Sequence, residues 1–445
     1  MIFNPICNRE KLAEDKASFV GVSMQIDENG QRKPHVTFPM HFEFTNYDGE
    51  ELSDANSKKL RTEIRLLLSV MSACKNDTQY NRFEDEQEDT YSFPYLDFLR
   101  VIRFFLSNGL LFEQEKQYKI HNSGKISWSK TIKQVSPIVS NGSVIYPRFV
   151  ASKRVLYEDE LIVKLYQYCV YESFNKIGWL YTDWMPRKPQ LEITSANKAR
   201  YLTILRKQFA ETFDDKKRSL FKSMIAIIQS IDFNTSNLNG MWNYGTNHFE
   251  YVWEWMIDNV YGNAIEKENC QPKGFWYLPK KKEPASRELR PDTIMHQNNS
   301  ENWYVIDAKY YRNASSDSSD NLPGSADINK QITYASEVNW NLQRPGQNQR
   351  VYNSFVIPQS FTSRDDNRYV KYETFGYATG SWLENKDTKE TIDWVSGIFI
   401  DTKFLMEEVM KSSSHSVEIG ELSNFIKDCW EEFRQNGELY FPKSI

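Results

Sequence analysis

Asp292, Asp307 and Lys309 are the residues of this 445-residue chain whose types and spacing could do chemistry together. Pro291-Asp292 opens the short run Thr293-Ile294-Met295, and after fourteen intervening residues Asp307-Ala308-Lys309 follows Trp303-Tyr304-Val305-Ile306. The second run is aromatic and β-branched, which favours a buried strand. A strand sends alternate side chains to one face, so Asp307 and Lys309 point together and Ala308 points away. A hairpin joining the two runs would gather both carboxylates and the ammonium at one sheet end. Two carboxylates around one point make a hard oxygen site suited to Mg2+, which keeps several waters and takes phosphate oxygens as ligands. Hydrolysis of a phosphodiester needs such a site, to polarise the phosphoryl oxygen, lower the pKa of a water and neutralise developing charge. Lys309 would orient the attacking water and stabilise that charge. The other reading is a buried Asp–Lys ion pair at a strand end, and spacing alone does not separate the two.

The pattern Pro291-Asp292…Asp307-Ala308-Lys309 resembles the PD-(D/E)XK nuclease superfamily. Leu322-Pro323-Gly324, Ala326-Asp327 and Gln331 opening a helix resemble the segment after the active-site lysine in FokI-like cleavage domains. The strand-like runs Phe355–Pro358 and Gly397–Asp401, the helical TKFLMEEVM and the ending WEEFRQNGELYF keep that order of elements over about the last 200 residues. The resemblance implies an α/β cleavage domain in which Asp292 and Asp307 ligate Mg2+ and Lys309 assists the water. It also implies an acidic residue on the first helix, facing and ligating the metal, where the apolar stripe Phe249, Val252, Trp253 and Met256 sets the face. Glu250 is the candidate and Glu254, one turn on, the reserve; either one is equally readable as a surface glutamate. His248 beside that stripe reads as structural. Gln331, one turn from Asp327, would hold a water or phosphate.

The elements that position these residues begin far upstream. VGVSMQI and HVTFPMHF flank the turn Glu28-Asn29-Gly30 and read as a hairpin. Asp54–Cys74 shows helical spacing at Leu60, Ile64, Leu67, Leu68 and Met71, with Asp54 as the N-cap candidate. Asn76–Thr90 is an acidic loop. Phe93–Ser107 reads as a second helix, stopped by Asn108-Gly109. LLFEQEKQYKI then reads as two strands around Glu115-Lys116-Gln117, followed by the basic GKISWSKTIK. Helix, helix, strand, turn, strand is the outline of a winged-helix module. Tyr91–Arg154 holds ten Lys/Arg against three Asp/Glu, a net of +7 in a chain of net charge −5. Such a basic stretch is the footprint of a nucleic-acid surface, with Lys116, Lys119, Lys125, Lys130 and Lys133 as its candidates beside Tyr118 and Trp128; an ordinary solvated face is the plainer reading. Helical spacing recurs over Glu158–Lys176, Ser195–Phe213 and Asp214–Ile231. Pro279–Arg290 is basic and proline-broken, a solvated loop or a contact to a nucleic-acid backbone. Asn313–Asp320 is low in complexity.

Hydrophobic content of 40% excludes a disordered chain, and five scattered cysteines without a CxxC pair indicate neither zinc nor disulfides but free buried thiols. No stretch reads as a secretion signal or membrane span, so the chain is expected in the cytoplasm.

Over nearly its whole length, through VTFPMHF, GKISWSKTIK, YEDELIVKLYQYCVYESFNKIGWL and YGTNHFEYVWEWM, the chain resembles the LlaJI family of restriction endonucleases. That implies site-specific cleavage of duplex DNA in a restriction–modification system, with a methyltransferase protecting host sites. Some such systems resemble McrBC, where a separate NTPase subunit licenses the nuclease. This chain has no GxxxxGK[ST] loop, so any nucleotide dependence belongs to a partner. The expected architecture is an α+β, winged-helix-like DNA-recognition region over 1–155, a helical connecting region over 156–239, and a restriction-endonuclease-like α/β domain over 240–445. One metal site per chain implies at least a transient homodimer for double-strand cutting. A transposition or repair nuclease and a non-catalytic DNA-binding regulator are the rival readings.

Overall fold

The computed structural model of the chain describes residues 6–7, 19–26, 32–43, 54–77, 93–110, 113–120, 125–140, 142–157, 161–231, 242–263, 267, 271–278, 285–297, 300–311, 321–342, 349–361, 370–383, 390–411 and 414–436. Internal contacts divide it into two units, residues 93–240 with 1–3, and residues 4–92 with 241–445.

The N-terminal strands are β1 (Ile6–Cys7), β2 (Val20–Ile26) and β3 (Arg32–Thr37). β2 and β3 pair antiparallel, as the alternating pattern requires; the turn at 28–30 lies outside the described residues. Helix α1 (Asp54–Asn76) buries Leu60, Ile64, Leu67, Leu68 and Met71 completely, the stripe read from the sequence. Most of the acidic stretch after it lies outside the described residues.

In the unit of residues 93–240, α2 (Tyr95–Asn108) stops at Gly109, whose positive φ of 73° is a conformation that favours glycine, with its N–H donated to Phe105 O at 2.8 Å. Strand β4 (Glu113–Ile120) runs unbroken through Glu115-Lys116-Gln117, where the sequence reading placed a turn. No Gly, Pro, Asn, Asp or Ser stands there to turn the chain, and all eight residues pair antiparallel with β8 (Val150–Tyr157) instead. Between these strands lie β5 (Lys125–Ile126), α3 (Trp128–Gln134) and the hairpin of β6 (Ile138–Ser140) and β7 (Ser143–Ile145). Helices α4 (Leu161–Ile177), α5 (Ser195–Glu211) and α6 (Asp215–Gln229) follow the three helical patterns of the sequence. Tyr95 and Ile102 of α2, Leu165 and Cys169 of α4, and Met224 and Ile228 of α6 are core residues here.

The chain then returns to its N-terminal strands. β9 (Asn243–Thr246) pairs with β2, giving the order β1-β3-β2-β9, so residues 4–92 pack with 241–445. Gly21, at φ 146°, lies opposite Gly245; a Cβ on Gly21 would stand 2.3 Å from Tyr244 O. β9 feeds α7 (Phe249–Tyr261), whose Phe249, Val252, Trp253 and Met256 are buried. A two-stranded ribbon, β10 (Lys273–Trp276) with β11 (Ala285–Glu288), precedes the second sheet.

That sheet comprises β12 (Thr293–His296), β13 (Asn302–Ala308), β14 (Arg350–Gln359), β15 (Tyr372–Thr379) and β16 (Trp394–Asp401), in the order β12-β13-β14-β16-β15. β13, β14 and β16 are parallel, and β12 and β15 are antiparallel edges. Parallel strands need cover on both faces, which is why β14 and β16 read as nearly continuous buried runs. Helix α8 (Ser325–Leu342) covers one face, packing Tyr334, Ala335 and Val338 on Ile294, Trp303, Val305 and Val351. α7, α9 (Thr402–Val409) and α10 (Ser416–Asn436) complete this mixed α/β unit. Cys74, Cys169 and Cys429 are free and buried. No helix among the described residues is long and apolar enough to cross a membrane.

The Gly21–Gly245 approach generates a prediction. Gly21→Ala forces β2 and β9 apart at a backbone angle that L residues rarely adopt, and should destabilise the unit of residues 4–92 and 241–445 by about 1–3 kcal/mol. A lowered denaturant midpoint checks it; an unchanged midpoint would show that the two strands have slack there.

Candidate active site

Thr293 of β12 lies opposite Ile306 of β13, so Asp292 and Asp307 stand at the same sheet end. Asp292 Oδ2 accepts the Ala308 N–H at 3.0 Å, which fixes one carboxylate against the backbone between Asp307 and Lys309. Lys309 Nζ lies 2.8 Å from Asp307 Oδ2 and 2.9 Å from Asp327 Oδ1. Its backbone N–H donates to Val356 O at 2.9 Å, continuing the sheet to this residue. The structure thus gathers Asp292, Asp307 and Lys309, and adds Asp327 from the first turn of α8.

Neighbouring elements grip the backbone beneath these groups. The Tyr334 hydroxyl donates to Arg290 O at 2.7 Å. Lys267 Nζ donates to Asp292 O and sits 2.8 Å from Asp258 Oδ2, while the Thr293 hydroxyl donates to Asp258 Oδ1 at 3.1 Å. Gln331, fully buried, gives its Nε2 to Val305 O at 3.0 Å and Ser354 O at 3.2 Å, tying β13 to β14. Its Oε1 is buried without a hydrogen-bond partner. The segment Arg290–Asp292 is therefore held from α7 and α8 at once.

Charge at this sheet end is unevenly balanced. Asp307 is 2% exposed, and burial, then the negative charge of Asp292, push its carboxyl up to about 7 against the pull of Lys309. Burial acts to lower the Lys309 ammonium, but Asp307 and Asp327 outweigh it and hold its pKa above the ordinary lysine value. Lys330, one helix residue before Gln331, is likewise raised against burial by Tyr334, Asp307 and Asp292. Its Nζ sits 5.4 Å from the centre of the Tyr334 ring. Two cations thus face two carboxylates and Asp327.

Glu250 keeps other company. Its Oε1 lies 3.1 Å from His248 Nδ1, and its charge raises the pKa of the Tyr310 phenol, whose largest cause is burial. Its Oε2 is buried without a partner. Glu254 is half-buried one turn on. The acid of α7 that reaches the Asp292 segment is Asp258, which sequence reasoning missed; it lies eight residues, about two helical turns, beyond Glu250. Lys267, Asp327 and Lys330 were also unassigned. Asp327, Lys330, Gln331 and Tyr334 share one face of α8 by their three- and four-residue spacings, the one signal that could have grouped them.

Of the basic candidates, Lys125 and Lys133 are exposed and Lys130 is half-buried, beside Trp128 at 54% exposure. The side chains of Lys116 and Lys119 lie outside the described residues. A second set of possible ligand atoms, from Glu408, His415 and Glu418, falls within 4.8 Å of one another, and Lys411 already pairs with Glu408 there.

A pH dependence follows from Asp307. Its folded-state pKa lies above that of an unfolded aspartate, about 3.9. Its contribution to stability is therefore complete below that value and is lost as pH rises through about 7. In chelator, Asp307→Asn should lose less stability than the native chain between pH 5 and pH 8, as read by chemical denaturation. Parallel losses would show that Asp307 is not held out of water.

Sequence comparison gives this geometry its setting. The family described as LlaJI restriction endonuclease matches residues 38–401, a span that holds Glu250, Asp292, Asp307, Lys309 and Gln331. The type II restriction enzyme BsuMI component YdjA of Bacillus subtilis (strain 168) is 25% identical over 326 residues, 69% of this chain and 67% of that protein. A solved half-complex from a tetradecameric assembly of Thermococcus gammatolerans McrB AAA+ hexamers with bound McrC is also similar, at 13% identity and a TM-score of 0.35. That match covers 92% of this chain and 83% of the other. With the family matched from the N-terminal strands to the end of β16, across both carboxylates and the lysine, the chain belongs to the LlaJI restriction endonuclease family and is a nuclease of restriction–modification.

Proposed function

We propose that the chain is a Mg2+-dependent, site-specific deoxyribonuclease whose cleavage centre is Asp292, Asp307 and Lys309. The observation that carries this reading is the Asp307 carboxylate, buried to 2% exposure beside a second carboxylate, with one cation 2.8 Å from its Oδ2, the Lys309 ammonium that Asp327 shares. A hard divalent cation fits that donor set, since it would supply the positive charge that Lys309, shared with Asp327, leaves wanting. Bound there, such a cation would neutralise charge on the phosphoryl oxygens and acidify a water.

The chain's own residues do the rest. Asp292 and Asp307 hold the cation, and the Ala308 N–H keeps Asp292 in place. Lys309 orients the attacking water and donates to the phosphoryl oxygen as charge builds on it. Gln331 offers its free Oε1 to a water, and Glu250, from α7, completes or orients the site. The domain reading is a PD-(D/E)XK cleavage domain over 240–445, joined in its unit by residues 4–92, a helical connection over 156–239, and DNA recognition in the basic part of 1–155. In that last region the long β4–β8 ribbon takes the part of a wing and Lys116, Lys119, Lys125, Lys130 and Lys133 contact phosphates. Duplex DNA is the substrate, a methyltransferase protects host sites, and double-strand cutting draws two copies together. The relative's standing as a component favours partner subunits, and the resemblance of some such systems to McrBC adds a separate NTPase to the proposal. Such an enzyme works in the cytoplasm, where the DNA is.

Digestion of unmethylated, mixed-sequence duplex DNA with Mg2+ tests this, with the system's other proteins and nucleotide added to every sample. The native chain should give discrete fragments and Asp307→Ala none. Lys309→Ala should cut roughly 10²–10³-fold more slowly. Equal cutting by Asp307→Ala and the native chain would overturn the assignment.

A further inference from the structure

The ribbon β10–β11 has no role in the chemistry, yet it displays what a soluble protein normally hides. Phe275, Trp276, Tyr277 and Leu278 are consecutive and 53%, 68%, 81% and 41% exposed. Within β10, alternation puts Phe275 on one face and Trp276 on the other, so each face of the ribbon carries an exposed aromatic ring, and Tyr277 and Leu278 continue the run just past the strand. An isolated two-stranded ribbon is marginally stable in water, and a contiguous exposed apolar patch marks an interaction surface.

Charge and position say what covers it. From Lys273 to Arg290 the sequence carries six Lys/Arg against two Asp/Glu, a net of +4 in a chain of net −5. Lys273 pairs with Glu288 across the base of the ribbon at 2.9 Å, and the net charge of the stretch as a sequence suits a polyanion. The ribbon also runs straight into the site. Only four residue steps separate Glu288 from Asp292, at most about 14 Å of chain. Trp276, opposite Ala285, stands three residues further out, about 10 Å. The aromatic pair therefore lies within about 24 Å of Asp292, the length of about seven base pairs at about 3.4 Å each.

We infer that this ribbon is a DNA-contacting element, set beside the cleavage centre, that places Phe275 and Trp276 in a groove of the duplex near the cut bond. A two-stranded ribbon fits a DNA groove, and aromatic or apolar wedges there pack on or between bases. This inference rests on the reading of Asp292 and Asp307 as the cleavage centre. A second copy of the chain is the competing occupant, but a surface of net +4 repels its own twin and suits a polyanion.

The test uses the full chain carrying Asp307→Asn, with Ca2+ and a DNA fragment that the native protein cuts, with and without Phe275→Ser and Trp276→Ser. Both side chains are exposed, so the variant should keep its circular dichroism and melting temperature. The double substitution should raise the Kd for DNA at least about fivefold, the lower end of what one stacked base loses. It should also remove footprint protection within about seven base pairs of the cut. An unchanged Kd and footprint overturn the inference, and so does loss of self-association with DNA affinity intact. Failure of Asp307→Asn to stop cleavage is read separately, on digestion, and would sink the catalytic reading while the Kd still reports on the ribbon.

Discussion

The carboxylate of Asp307 is taken out of water at the end of β13 with a second carboxylate beside it, and most of this sheet end follows from that one electrostatic problem. Like charges repel far more strongly where protein replaces solvent, and a buried ion needs a partner that satisfies it. Lys309 supplies one ammonium, but Asp327 shares it. Lys330 acts from further along α8. The arrangement is held tightly all the same. Tyr334 and Lys267 hold the carbonyls of Arg290 and Asp292, and Gln331 pins β13 to β14. Such preorganisation, at a sheet end still short of positive charge, supports the proposed cation site.

The N-terminal strands belong to the same construction. Tyr310, next to Lys309, is buried against Phe249, and its hydroxyl accepts the Met40 N–H at 2.7 Å. Thr402, at the start of α9, donates to Met40 O at 3.4 Å. β9 closes on β2 through the Gly21–Gly245 contact and then becomes α7, which brings Asp258 to the Asp292 segment. The family match begins at residue 38, at the segment that Tyr310 holds. Residues on either side of the 93–240 unit thus build one body around the candidate site.

The central motif was legible because strands obey a period of two: Asp307 and Lys309 on one face, with Asp292 brought alongside by a hairpin, follow from the residues alone. The helices were legible for the equivalent reason, as the fully buried stripe of α1 shows. Other features depended on tertiary contact. Glu115-Lys116-Gln117 is polar enough to suggest a turn, but β8 offered eight backbone partners and the strand ran on. Asp258 and Lys267 carry no motif; they matter because α7 crosses the Asp292 segment near its C-terminal end, two turns past Glu250. The pairing of β9 with β2, across more than 200 residues, leaves no local trace beyond two glycines.

Titration of divalent cation into the full chain by calorimetry, comparing native protein with Asp307→Asn at pH 8, addresses the central claim most directly. If Asp292 and Asp307 form the cation site, the native chain binds Mg2+ and Asp307→Asn does not. Equal binding by both would contradict it, and binding that survived Asp307→Asn but vanished in His415→Ala would move the cation to Glu408, His415 and Glu418 instead.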